Sequence, residues 1–109
     1  MKLPNGNQAE IAMQKLIGYC LNPEHPSGKH KARVFASVLG ITRENADTLL
    51  ELIQTAAVEG EVVQQETTAF GQLFKVDWTV VGPQEVQLRT IWEITSTNPN
   101  PRLVSAFIT

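Results

Sequence analysis

At Gly60 the hydrophobic repeat of this chain changes period, and that change limits the possible folds more than any other feature. Before it, apolar residues return every three or four positions: Met13, Leu16, Ile17 and Cys20, then Ala32, Phe35, Ala36 and Leu39, then Ala46, Leu49, Leu50, Ile53 and Ala57. That spacing lines one face of a helix. After it, Phe74, Val76, Trp78 and Val80 alternate with Lys75, Asp77 and Thr79. Val86, Leu88, Thr90, Trp92 and Ile94 then alternate with Gln87, Arg89, Ile91 and Glu93. A period of two marks a strand with one buried face. A chain of 109 residues supplies one core, because surface-to-volume scaling leaves too little apolar surface for two. The helical and sheet halves must therefore bury against each other. The expectation is an α+β domain over residues 1–109, with three N-terminal helices (helical half about 9–59) packed on one face of a four-stranded antiparallel β-sheet (sheet half about 61–109).

Local signals place the elements. The first helix is expected over residues 9–21 and is stopped by Asn22-Pro23-Glu24-His25-Pro26-Ser27-Gly28, since the residue before a proline avoids helical backbone. Ser27 is the expected N-cap of a second helix from about Gly28 to Leu39, with Gly40 at C′. Thr42 is the expected cap of the third, with Glu44 suited to the dipole of its first turn, and Gly60 ends it. A weaker strand is expected around Glu61–Thr67. Gly82-Pro83 breaks the run that ends at Val80, Thr97 to Pro101 is a loop, and Arg102–Ile108 is the last strand. One face of the sheet is expected to bury Phe74, Val76, Trp78 and Trp92. The other presents Lys75, Asp77, Thr79, Arg89 and Glu93, either to solvent or to a substrate or partner.

Composition narrows the function classes. No apolar run reaches the ~18 residues of a membrane span. The single cysteine, Cys20, rules out an intramolecular disulfide framework, and its place in an apolar helical pattern predicts a buried, inert thiol. MKLPNGNQAE has no apolar signal region, so a cytoplasmic chain is expected; a piece cut from a longer exported protein is the alternative. Nine Lys and Arg against eleven Asp and Glu give a net charge of −2, which removes overall basicity as an argument for nucleic-acid binding. That sum conceals a separation. Glu44, Asp47, Glu51, Glu59, Glu61 and Glu66 stand in a stretch without Lys or Arg, while Lys29, Lys31 and Arg33 cluster with both histidines, His25 and His30.

The basic island is where chemistry is expected. Cations at the start of a helix oppose its dipole, and an anion held by free backbone N–H groups, Lys and Arg would resolve that. Plain solvation of Lys29, Lys31 and Arg33 is the other reading. Two imidazoles can divide general-base and general-acid work near neutral pH, as RNA cleavage through the 2′-hydroxyl requires, while a lysine stabilises the phosphorane. Alternatively, His25 braces its loop by a hydrogen bond and His30 faces water. A metal is not expected, because His-x4-His with Glu24 supplies too few ligands. No cofactor-binding Gly-rich loop occurs.

Tyr19-Cys-Leu-Asn-Pro-Glu-His25-Pro-Ser-Gly-Lys-His-Lys31-Ala-Arg-Val-Phe35 resembles a bacterial family of small uncharacterised proteins with the pattern Y-x-L-N-x-x-H-x-x-G-x-x-K-A-x-x-F. Leu39-Gly40, Phe70-Gly71, Val76-Asp77, Gly82, Thr90-Ile-Trp92 and Pro101-Arg-Leu-Val-Ser105 follow the same ordering. Similar segments occur in phage-encoded proteins and polymorphic-toxin tips that resemble the ribonuclease superfold shared by barnase, EndoU, colicin tRNases and RelE. The resemblance implies helices followed by a four-stranded antiparallel sheet. It also implies metal-independent RNA cleavage, with His25 as acid or base, Lys31 as phosphorane stabiliser, and Thr90 and Ser105 as strand hydroxyls. His30 falls on a variable position of the pattern; Lys29, Arg33 and Arg102 would bind or orient the substrate. The implied partners are RNA and an immunity protein. From a different class comes a non-catalytic protein-interaction domain, in which Asn22, His25 and Gly28 fix a loop and the charged sheet face or acidic third helix meets a partner. A homodimer through the edge of the last strand is a third arrangement.

Overall fold

The computed structural model describes residues 1–81 and 84–109; the expected break at Gly82-Pro83 lies outside the described residues. Three helical segments precede four strands, α1 (13–20), α2 (29–39) and α3 (Ala46–Glu59), then β1 (Glu61–Thr68), β2 (Gly71–Val80), β3 (Val86–Thr95) and β4 (Arg102–Ile108). The strands form an antiparallel meander in the order β1-β2-β3-β4. This is the expected α+β arrangement, and the strand assignments agree to within a few residues.

The helices run differently in detail. Residues 9–12 are not helical, because Glu10 pairs with the start of β4, its N–H on the Pro101 carbonyl at 2.8 Å and its C=O accepting from Leu103 N–H at 3.0 Å. Helix α1 therefore starts at Met13. Its final turn, Leu16–Cys20, is widened, with the Leu21 N–H reaching back five residues to the Leu16 carbonyl at 2.8 Å. Widening rotates the face that the simple period assigns: Leu16 and Cys20 are fully buried, whereas Ile17 is exposed. The same happens in α2, whose second part, Phe35–Leu39, is also widened. Phe35 is buried there, but Ala36, expected on the buried stripe, is exposed.

The caps combine expected and unexpected features. Gly40 closes α2 in the left-handed conformation, φ 67°. Thr42 caps the approach to α3, its hydroxyl accepting from Glu44 N–H at 3.3 Å, while the Asn45 side chain accepts from Thr42 N–H at 2.6 Å. Gly60 ends α3 where no side chain fits: a Cβ there would lie 2.6 Å from both the Ala56 carbonyl oxygen and Val76 Cγ1. The change of hydrophobic period thus coincides with a point of backbone contact between helix and sheet.

Leu16, Cys20, Phe35, Leu49 and Ile53 from the helices meet Phe74, Val76, Leu88 and Trp92 from the sheet in one buried cluster. A buried side chain of this size stabilises by about 1.5–3 kcal/mol relative to exposure. Among the described residues no helix is long and apolar enough to cross a membrane.

Candidate functional site

The Pro-rich loop is organised by its own side chains. Asn22 Oδ1 accepts from Glu24 N–H at 3.0 Å, and its Nδ2 donates to the Gly18 carbonyl at 3.2 Å, an Asx turn anchored on the end of α1. His25 Nδ1 accepts from the backbone N–H groups of both Ser27 and Gly28, each at 3.0 Å. The imidazole thus takes the capping role expected of Ser27; Gly28, the actual N-cap residue, has no side chain to offer. Two consequences follow. Three backbone donors at this helix start are already occupied, the N–H groups of Ser27 and Gly28 by the imidazole and that of Lys29 by the His25 carbonyl at 3.0 Å. With Nδ1 as acceptor, the neutral ring carries its proton on Nε2.

Gly28 belongs here because α1 passes too close for any other residue. A Cβ at this position would sit 2.5 Å from the Tyr19 carbonyl oxygen. That contact sets Tyr19 against the loop, its ring perpendicular to that of His25 with centroids 4.9 Å apart.

Lys31, one turn into α2, reaches the same place. Its Nζ donates to Tyr19 Oη at 2.8 Å and to Ser105 Oγ at 3.4 Å, and lies 5.1 Å and 4.7 Å from the ring centroids of Tyr19 and Phe107. Lys15 lies over the Tyr19 ring at 5.8 Å. Tyr19 and Lys31 are half-buried, and Ser105 is buried. The hydrogen bond from Lys31, with a smaller contribution from Ser105, holds the Tyr19 phenol below the ordinary tyrosine range although burial acts in the opposite sense. Next to it the Cys20 thiol is pushed up by burial, consistent with the inert cysteine expected from its position. Among the described residues Lys31 forms no ion pair with a carboxylate.

Of the residues singled out in the sequence, the fold brings together His25, Lys31 and Ser105, with Tyr19 between them. It does not bring Thr90. Thr90 pairs with Ala106 and so faces the core, whereas Ser105 pairs with Ile91 on the opposite face of the sheet. Thr90 is fully buried, its hydroxyl accepting from Trp92 Nε1–H at 2.7 Å and donating to the Val76 carbonyl at 3.3 Å. Arg102 is tied to Glu93 at 2.6 Å toward the far end of the sheet. His30 and Arg33 are exposed, and Lys29 is half-buried. Beside Ser105 on the outer face, Asp77 and Arg89 form a two-point ion pair at 2.7 and 2.8 Å. Among the described residues no three His, Cys, Asp or Glu side chains converge as a metal ion would require. Tyr19 and Phe107 complete the cluster although their residue types alone did not mark them as site residues. Tyr19 opens the motif, and Phe107 shares the Ser105 face by strand alternation, so both signals were present.

The family model described as Domain of unknown function (DUF6883) matches residues 2–109. The chain belongs to this family. The Tyr19–His25–Lys31 cluster is therefore a feature of a DUF6883 domain. Among solved structures, the DUF6883 fold resembles a chain of a "Contact-dependent growth inhibition toxin - immunity protein complex from Klebsiella pneumoniae 342". The TM-score is 0.66 at 11% identity, over 96% of this chain and 97% of that one. At that identity the likeness is one of fold. No curated protein matches the chain.

Proposed function

We propose that this domain is of the toxin type and acts on RNA, with the Lys31 cluster as the place where a phosphodiester is held. The observation that carries the reading is the environment of Lys31. Its ammonium is half-buried, bonded to two hydroxyls and flanked by two aromatic rings, with no carboxylate partner among the described residues. A cation so placed is complemented by an anion, and a phosphate oxygen fits beside Nζ as a charge-assisted hydrogen-bond acceptor. The likeness in fold to a chain of a toxin–immunity protein complex and the resemblance to the ribonuclease superfold support the same class. In this reading Lys31 neutralises charge on the phosphorane, Ser105 keeps Nζ in place and His25 braces the loop, presenting Nε2–H. Lys29 and Arg33 supply weaker, solvent-screened attraction to the nucleic acid. The test is incubation with a panel of RNAs, including tRNA, in EDTA. Wild type should cleave and Lys31→Met should lose cleavage while keeping its fold; no cleavage by wild type across the panel refutes the reading.

A second reading, a protein-interaction domain of the immunity or partner-binding kind, is favoured by β1. This strand lies at the sheet edge and is exposed along most of its length. Only the Val62 N–H among the described residues is taken by a segment other than β2, the Met1 carbonyl at 2.8 Å. An exposed edge is a template for strand addition by a protein partner. The homodimer expected through β4 has less room, because Glu10 already occupies the start of that edge.

A further inference from the structure

We propose that Tyr19 and Lys31, rather than the histidines, are the proton-transfer pair of this site, Tyr19 Oη as base and Lys31 Nζ as acid. The proposal rests on the RNA-directed reading above and names the groups that would perform the step.

The histidines fit that task poorly. To accept a proton at Nε2, neutral His25 would first have to carry its proton on Nδ1, which would then point at the N–H groups of Ser27 and Gly28 that it now accepts from. Base action by His25 thus breaks two hydrogen bonds that start α2. His30 is exposed and lies outside the cluster. Tyr19 and Lys31 have no such conflict. Their polar atoms are 2.8 Å apart, and both are fixed from other directions, Lys31 by Ser105 and Tyr19 by the perpendicular His25 ring and the close Gly28 backbone.

The step balances. Tyr19 phenolate takes the proton of a ribose 2′-hydroxyl as that oxygen bonds to phosphorus. The bond from phosphorus to the 5′-oxygen breaks, and the departing oxygen takes a proton from the Lys31 ammonium. The products are a 2′,3′-cyclic phosphate and a 5′-hydroxyl. Tyr19 then returns its proton to the neutral Lys31 amine along their hydrogen bond, restoring phenolate and ammonium without an outside donor. Other groups facing Tyr19 are Lys15 from its own helix, Cys20 beside it in the chain, His25 from the loop and Ser105 from β4. The hydrogen bond from Lys31 is the largest influence favouring the phenolate, Ser105 adds to it, and burial and Cys20 oppose it.

Two measurements decide the matter. In the RNA assay Tyr19→Phe, which removes one oxygen and keeps the ring packing, should lower the cleavage rate by about 10²–10⁴-fold, the usual contribution of general acid–base catalysis. It should also remove the limb of the pH–rate profile that rises with phenolate formation. Retention of the wild-type rate by Tyr19→Phe overturns the proposal. The second measurement needs no turnover. Tyr19 is the only tyrosine, so a phenolate absorbance titration reports it alone, and folded Lys31→Met should ionise at higher pH than wild type. Identical titrations overturn the pair even where cleavage stands. A displaced titration with no RNA cleavage by wild type leaves the pair intact as a structural feature, while refuting both the RNA reading and this step.

Discussion

Thr90→Val separates a core role from a site role for this hydroxyl, and its cost follows from the geometry. The hydroxyl accepts the Trp92 indole N–H at 2.7 Å in a position with no solvent exposure, and its own donation to Val76 is long, at 3.3 Å. Valine keeps the shape, so no cavity opens. What changes is that a fully buried N–H loses its acceptor, which costs about 1–3 kcal/mol. The added buried methyl returns about 0.8 kcal/mol. The expected net loss is therefore about 1 kcal/mol, with about 2 kcal/mol as the upper bound, a fall in Tm of about 4–9 °C for a domain of this size. Urea unfolding followed by tryptophan fluorescence should show a lower midpoint at unchanged slope. A double-mutant cycle isolates the cause. In a Trp92→Phe background no indole N–H remains to be orphaned, so Thr90→Val should be neutral or slightly stabilising, leaving a coupling of about 1–3 kcal/mol, the cost of the orphaned N–H. Thr90→Val at wild-type stability, or an additive cycle, would refute the reasoning and return Thr90 to the list of groups available for chemistry.

Two further perturbations test the frame around the site. Arg89 hydrogen-bonds the Asp77 carboxylate and, with Gln87 adding to the effect, holds its pKa below the ordinary range. A depressed carboxylate contributes stability above its unfolded value of about 3.9, and that contribution is lost as the pH falls through the lower folded value. Thermal unfolding of wild type should therefore lose more stability on acidification below about pH 4 than Asp77→Asn; parallel curves would show that the pair is not the source. Gly28→Ala places a Cβ 2.5 Å from a backbone oxygen of Tyr19, and neither strand of chain can yield cheaply. A loss of about 1–3 kcal/mol is expected by thermal unfolding, and unchanged stability would show that the loop is looser than its hydrogen bonds imply.

The sheet was legible because strand alternation is a local property that tertiary contacts reinforce. Phe74, Val76 and Trp92 are buried as their period requires, and Thr42 caps as its residue type requires. Helix ends were less legible because distant partners set them. Residues 9–12 have an acceptable helical pattern, but Glu10 gives its backbone to Pro101 and Leu103, more than ninety positions along the chain. No window of local sequence contains that competition. Widened turns in α1 and α2 have the same character: each adds a fraction of a turn that moves Ile17 or Ala36 outward while Leu16 and Phe35 stay in the core.

The site depends on a similar non-local correction. Leu103 pairs with Trp92 on the core face, and strict alternation from there would also send Ser105 into the core. Instead the register shifts between Ile91 and Trp92, so that Val104 is the extra residue and Ser105 stands opposite Ile91 on the outer face. One bulge thus exchanges the destinations of Ser105 and Ala106, bringing the hydroxyl to Lys31 and the methyl to the core beside Thr90. The family resemblance implied roles for Thr90 and Ser105 alike, since each is a strand hydroxyl in the motif ordering. The bulge distinguishes them, leaving one bonded to a tryptophan in the interior and the other to a lysine at the edge of the sheet. The basic island is sorted in the same way. Of its charged residues only Lys31 turns into the cluster with Tyr19, so the local excess of charge marked the right segment, while the tertiary fold selected the residue.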